Sequence, residues 1–397
     1  MDSSKTVLAV NPGSSSREYA VFYGDKLIIS GYYEHLGDGY VMSISTGDGK
    51  AEVDVSESDF DFALHHFLDY CRANNHVENG DIKGVGVRVV APGRRFLQHR
   101  RFDDETVEYL NSIAEQASTH INLVLEQVKQ LHNELPEVVL YAISDSAFHR
   151  TLTHEARNYA ISTADADAYD IYRFGYHGLS VSSVARTLRC EVSPKSSKHD
   201  KAVVCHLGSG SSVTALDTWR SVDTSMGFSP LEGLVMASRS GNIDVTAALE
   251  LKKRLEFNDH QLLEYLNHNS GLLGLSGSSN DLRSLLNARG HDERAEFAIA
   301  AMAYRIRSYV GSYSAVLGGL DALVFTATVG ERAAEVRRRV CENFKYLGIE
   351  LDDELNQASI SSDVAIISRE SSRVKVYVVT TDETAEIAHD TLQLMHQ

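Results

Sequence analysis

Arg239 stands between Ser238 and Ser240, in a segment (residues 223–244) rich in Gly, Ser and Thr. That composition is wrong for a plain helix or strand, yet the segment has too many apolar residues for a slack linker. It reads as an ordered loop folded back on the protein, the kind of loop where function concentrates. A guanidinium among small polar neighbours can offer its fork to a phosphate or a carboxylate; the other reading is an incidental surface arginine. Two Gly/Ser tips offer related chemistry, one in Asn11-Pro-Gly-Ser-Ser-Ser16 and one in His206-Leu-Gly-Ser-Gly210. Such tips expose backbone N–H groups and hydroxyls with little bulk, which suits a phosphate held between them. Asp145, the turn at residues 326–330 and the pair Asp382-Glu383 each follow a short apolar run. In open α/β sheets ligands gather outside such strand ends.

The elements that must carry these groups are legible as short strands. Residues 6–22 and 202–216 each run as a β-rich stretch, a Gly/Ser turn and a second β-rich stretch, which is a hairpin. The two lie about half a chain apart and predict a duplicated architecture of two related α/β domains. Residues 85–90, 138–143, 322–326 and 374–379 read as further strands. Helices are expected over residues 332–345 and 384–395, and residues 193–200 as a solvent loop. We place the domain boundary near residue 150, giving domains 1–150 (with a returning C-terminal helix, about 384–397) and 151–383.

The chain has 397 residues with 55 acidic and 38 basic side chains, a formal charge of −17. That balance argues against nucleic acid and anionic membranes as partners, while a few local arginines still suffice for a small anion. Cys71, Cys190, Cys205 and Cys341 form no CxxC pair, so a zinc site is not expected. The N-terminus is polar, and no run is long and apolar enough to span a bilayer, so a cytoplasmic location is expected.

Seven blocks, in order, resemble the acetate kinase family. They are Asn11-Pro-Gly-Ser-Ser-Ser16, Ser144-Asp-Ser-Ala-Phe-His149, Phe174-Gly-Tyr-His-Gly178, His206-Leu-Gly-Ser-Gly210, the loop 223–244, residues 270–283 and Phe325-Thr-Ala-Thr-Val-Gly-Glu331. The resemblance spans nearly the whole chain. It implies a duplicated actin-like ATPase (ribonuclease H-like) α/β fold with two domains and a central cleft. It further implies a homodimer and reversible phosphoryl transfer between ATP and a short-chain carboxylate with Mg²⁺. Two anions must then meet, which arginines and a metal ion make tolerable.

The family pattern carries over residue by residue. Asp145, His177 and Arg239 take the catalytic positions, and Arg88 joins Arg239 on the substrate anions. Val90, Ala117, Tyr176 and Pro230 line the acyl pocket, and Asn11 and Glu383 serve Mg²⁺. The nucleotide falls to His206, Leu207, Gly208, Ser209, Gly210, Asp281, Leu282, Arg283, Thr328, Val329, Gly330, Glu331 and Arg332. Taken alone, Asp145 also fits a helix N-cap, His177 a core histidine and Glu383 a first-turn acid facing a helix dipole.

The departures fall mostly on the nucleotide half. Glu18 replaces a lysine, Ser209 and Arg332 replace asparagines, and Thr328 replaces a glycine. Ser118 stands where the family has an active-site histidine, with His120 two positions on. Val87 and Ala91 replace histidines flanking Arg88, and Ala117 replaces a leucine, which predicts room for propionate or butyrate. These changes predict weakened use of ATP. They leave open the same chemistry with pyrophosphate or another donor, and a non-catalytic sensor of nucleotide or acyl phosphate.

Overall fold

The computed structural model describes residues 5–13, 16–36, 39–47, 49–114, 118–191, 201–358 and 363–396. Ser14, Ser15, Ala117 and the stretch 193–200 lie outside the described residues. The chain forms two compact units, Met1–Ala147 with Asp382–Gln397, and Phe148–Thr381.

Unit 1 is built on an eight-stranded sheet. Its strands are β1 (Thr6–Pro12), β2 (Ser16–Tyr23), β3 (Lys26–Leu36), β4 (Gly39–Thr46), β5 (Gly49–Val55), β6 (Gly84–Val89), β7 (Arg100–Arg101) and β8 (Val139–Ser144), in the order β5-β4-β3-β2-β1-β6-β8-β7. β1 pairs antiparallel with β2 and parallel with β6, and β6 runs parallel to β8. β1 reads as a near-continuous apolar run because it is central, with Val7, Leu8, Ala9 and Val10 all fully buried. Helix Glu383–Met395 packs on this sheet at a glycine. A methyl group built at Gly86 on β6 would stand 2.0 Å from Thr391 Oγ1 and 2.8 Å from Ile387 Cγ2. The missing side chain lets the helix lie close to the strand that bears Arg88 two residues later.

Unit 2 repeats the plan. Strands β9 (Lys201–Leu207), β10 (Ser211–Asp217), β11 (Arg220–Thr224), β12 (Ala322–Thr326), β13 (Val364–Ile366) and β14 (Lys375–Val379) lie in the order β11-β10-β9-β12-β14-β13. As in unit 1, an antiparallel run leads into parallel pairs, here β9 with β12 and β12 with β14. The 24-residue helix Glu293–Val316 covers one face. It buries Ala295, Ala298, Ile299, Met302, Ala303, Ile306 and Val310, the spacing of a single helical stripe.

One expected element differs. The stretch read as a turn at 326–330 and a helix from 332 to 345 is a helix at once, Ala327–Arg332, followed by a second, Ala334–Cys341, and a 3₁₀ turn, Lys345–Leu347. The chain leaves β12 sharply because Ala327 adopts φ +63°, a left-handed conformation that costs a non-glycine residue about 1–3 kcal/mol. Ala333, in neither helical nor extended geometry, then breaks the two helices apart. Among the described residues no helix is long and apolar enough to cross a membrane, and all four cysteines are free.

Candidate active site

In unit 1 the chain gathers an arginine and four oxygen-bearing side chains at the carboxyl ends of β6 and β8. Arg88 donates from Nη1 to Asn11 Oδ1 at 3.0 Å and lies 2.9 Å from Glu383 Oε2. Its Nη2 reaches Asp145 Oδ2 at 3.1 Å. Asn11 Nδ2 donates to Glu383 Oε2 at 3.1 Å and, more weakly, to Glu18 Oε2 at 3.5 Å. Asp145 is fully buried just beyond β8, its backbone N–H bonded to Val89 O at 2.9 Å. Burial alone would pull the Arg88 guanidinium down, but Asp145 and Glu383 outweigh it and hold the proton more firmly than usual. Burial, reinforced by Glu383 and Asp382, pushes the Glu18 carboxyl up to about 7. Burial also raises Glu383, against the pull of Arg88.

Asn11 and Glu383, the two expected metal-binding residues, thus share a hydrogen bond inside an oxygen-rich cluster. Among the described residues no three His, Cys, Asp or Glu side chains form a ready-made cage. That donor set fits Mg²⁺, which keeps several waters and takes only one or two carboxylates alongside phosphate oxygens.

In unit 2, His177 and Arg239 meet at the second Gly/Ser turn. A methyl group built at Gly210 would stand 3.2 Å from His177 Nε2 and 3.5 Å from Arg239 Nη1. The glycine keeps a space open between an imidazole and a guanidinium. His177 itself sits at φ +59° after Gly175 at φ +75°, and a buried histidine, His149, holds the Tyr176 carbonyl between them at 3.0 Å. The His177 ring lies 4.0 Å from that of His206, centroid to centroid.

Arg239 differs from Arg88 in one respect. Among the described residues it forms no ion pair, and its one hydrogen bond is a long contact, 3.4 Å, to Pro230 O. Burial lowers its hold on the proton with nothing to oppose it. A largely buried guanidinium without a carboxylate is costly unless an anion arrives to complete it.

The loop that carries Arg239 is ordered, as its composition predicted. Ala237 N–H bonds to Ser209 O at 3.3 Å, tying the loop to the Gly/Ser turn, and Ser270 N–H bonds to Ser238 O at 2.9 Å. Arg173 anchors its start, donating to the carbonyls of Thr224, Ser225 and Met226 and pairing with Glu232 at 2.6 Å. Tyr176 is buried and donates to Phe228 O at 2.6 Å, on the same loop as Pro230. Val90 is half-buried beyond β6 in unit 1. The sequence did not single out Arg173, Glu232 or His149, whose partners are 50 or more residues away or on the backbone.

The expected nucleotide residues divide. Leu207 and Leu282 are buried in the core, and Gly330 is packed against Phe325. Ser209, Arg283, Thr328 and Arg332 are exposed, and Thr328 and Arg332 sit four apart on one short helix. Asp281 caps helix Leu282–Ala288 by accepting from Arg283 N–H at 3.0 Å. Val329 packs partly on the core, and burial raises the Glu331 carboxyl.

Beneath this helix lies a fully buried arginine that pairs with no carboxylate among the described residues. Arg337 donates to Gly330 O (2.8 Å), Glu331 O (2.7 Å), Asn356 O (2.6 Å) and Asn356 Oδ1 (2.8 Å), and burial pulls it down to about 10. It satisfies the carbonyls that end helix Ala327–Arg332. Arg337→Leu leaves all of them unpaired and is expected to destabilise the fold by about 3 kcal/mol or more, read as a lowered melting temperature.

A model of the acetokinase family matches residues 6–389. The chain is 34% identical over 393 residues to an acetate kinase of Bacillus velezensis, covering 98% of this chain and 99% of that one. It is 36% identical over 401 residues to an acetate kinase of Thermoanaerobacter pseudethanolicus, covering 98% of each. Among solved structures, a Porphyromonas gingivalis acetate kinase superposes with a TM-score of 0.84 at 30% identity, over 98% of this chain and 99% of that one. A Francisella tularensis propionate kinase gives a TM-score of 0.86 at 29% identity, with the same coverage.

Proposed function

The chain belongs to the acetokinase family, and from that premise we propose that it transfers the terminal phosphoryl group of ATP to acetate or a similar short-chain carboxylate. The fold is the duplicated actin-like ATPase type that these relatives share. The observation that carries the reading is Arg239, a guanidinium that forms no ion pair among the described residues, aimed with His177 Nε2 at a turn kept open by Gly210.

The acid enters already ionised, so one of its oxygens attacks phosphorus without a base to remove a proton. The barrier is charge. Arg239 neutralises the equatorial oxygens of the phosphoryl group, and His177 adds a hydrogen bond to them. In unit 1, Asp145 and Asn11 orient Arg88 toward the substrate anions. Asn11 and Glu383 would hold Mg²⁺, which when bound neutralises charge on the phosphate chain.

The departures do not carry the reading to another donor. Glu18 lies against Asn11 and feels the charge of Glu383, and with its carboxyl near 7 it is not a full negative charge at neutral pH. Thr328 and Arg332 are exposed. The relatives lend no weight to a pyrophosphate-dependent enzyme or a sensor.

Trapping of acyl phosphate by hydroxylamine tests the proposal, with ATP or pyrophosphate as donor and acetate, propionate or butyrate as acceptor. ATP-dependent product is expected, and its absence with all three acids rejects the reading. The Ala117 substitution favours propionate or butyrate rivalling acetate.

A homodimer fits the surface of unit 2. Helix Val245–Arg254 buries none of its residues, and Val245, Leu249, Phe297 and Tyr304 are all more than half exposed. Apolar side chains in such number seek a cover, and light scattering at micromolar concentration measures whether a second copy supplies it. A cytoplasmic location is the reading that fits ATP and a free acid as substrates.

A further inference from the structure

We propose that Ser212 and Ser180 are positioning residues that fix the proton on Nε2 of His177 and His206, so that both rings donate N–H groups into the turn Gly208-Ser209-Gly210. The proposal rests on the reading that a phosphoryl group passes through this turn.

The two rings are held alike. Ser212 Oγ lies 3.0 Å from His177 Nδ1, and Ser180 Oγ lies 2.7 Å from His206 Nδ1. The rings stack at 4.0 Å with 24° between their planes. Each therefore turns its Nδ1 to a serine and its Nε2 toward the glycine turn. A methyl group at Gly210 would meet His177 Nε2 at 3.2 Å, and one at Gly208 would lie 3.8 Å from His206 Nε2. Both serines are fully buried on rigid elements, Ser212 on β10 directly opposite His206 on β9, and Ser180 in the first turn of helix Gly178–Glu191.

A neutral imidazole carries one donor and one acceptor, and its partner on one nitrogen decides which atom holds the proton. A carboxylate beside Nδ1 would place the proton there, as in a serine protease triad. A serine hydroxyl can instead donate to Nδ1, which leaves the proton on Nε2. Only that form donates where negative charge develops, and donors already oriented there need no rearrangement as the reaction proceeds.

The test is ¹⁵N NMR of the full chain labelled at histidine, at a pH where the rings are neutral and with no substrate added. Wild-type protein is expected to show Nε2–H and a hydrogen-bonded, unprotonated Nδ1 in both rings. Ser212→Ala is expected to shift His177 toward a mixture of tautomers while His206 keeps its signature. In the acyl phosphate assay the same variant loses about tenfold in kcat, with KM for ATP and acid within about twofold, and Ser212→Thr recovers most of that loss. Nδ1–H on both rings of the wild type overturns the proposal, as does a Ser212→Ala protein with unchanged ring signals and unchanged kcat. The wild-type spectrum decides even if the variant does not fold. Rings in the Nε2–H form in a protein without any phosphoryl transfer would sustain the assignment and reject the functional reading instead.

Discussion

Arg239→Ala is expected to lower kcat/KM for acyl phosphate formation at least a hundredfold while moving the stability of the fold by less than about 1 kcal/mol. The two halves of that result have one cause. A hundredfold is about 2.7 kcal/mol, which one charge-assisted contact to a developing anion in a dry site readily supplies. Among the described residues, however, the guanidinium has no acid to neutralise and only a long contact to Pro230 O. Removing it deletes a desolvated charge along with some packing by its stem, and these effects oppose each other. Steady-state kinetics beside urea denaturation measure both. A variant that keeps normal kcat/KM would remove Arg239 from the site.

Arg88→Ala, by contrast, is expected to fail on both counts, losing at least a hundredfold in activity and about 3–5 kcal/mol of stability. Arg88 neutralises Asp145, which is fully buried, and Glu383, which is partly buried. Truncating one partner of a buried ion pair leaves the others uncompensated, the costly way to break it. The deficit should narrow as the pH falls from 7 toward 5. An acid whose folded pKa lies above its unfolded value destabilises the fold as pH rises through that interval. Burial already holds Glu18 at about 7 and Glu383 above its ordinary range. Protonation removes the stranded charges. A variant as stable as the parent at pH 7 would show that water, not Arg88, balances the cluster.

What the sequence revealed and what it hid follow from the range of the interactions. The hairpins at β1–β2 and β9–β10 were legible because their strands alternate with Gly/Ser turns over a few residues. The strand end bearing Asp145 was legible because the short apolar run 138–143 precedes it. The split at Ala333 was not, because residues 332–345 keep a helical apolar spacing while the break comes from local backbone geometry. Glu18 counts in the sequence as a departure on the nucleotide half. Its place opposite Asn11 follows from strand register, and the charge it feels from Glu383 links residues far apart in the chain. The His177–His206 stack and the arginine brace at Arg173 likewise depend on tertiary approach, which no local pattern encodes.

The glycine contact between β6 and helix Glu383–Met395 bears on the order in which the protein can be made. Unit 1 is interrupted by the whole of unit 2, Phe148–Thr381. As the ribosome extends the chain, the first sheet emerges with the groove at Gly86 still uncovered and Arg88 still without Glu383. The helix that fills that groove is translated only after unit 2. The nascent first half therefore lacks its covering helix and the partner of its arginine until that late segment is made.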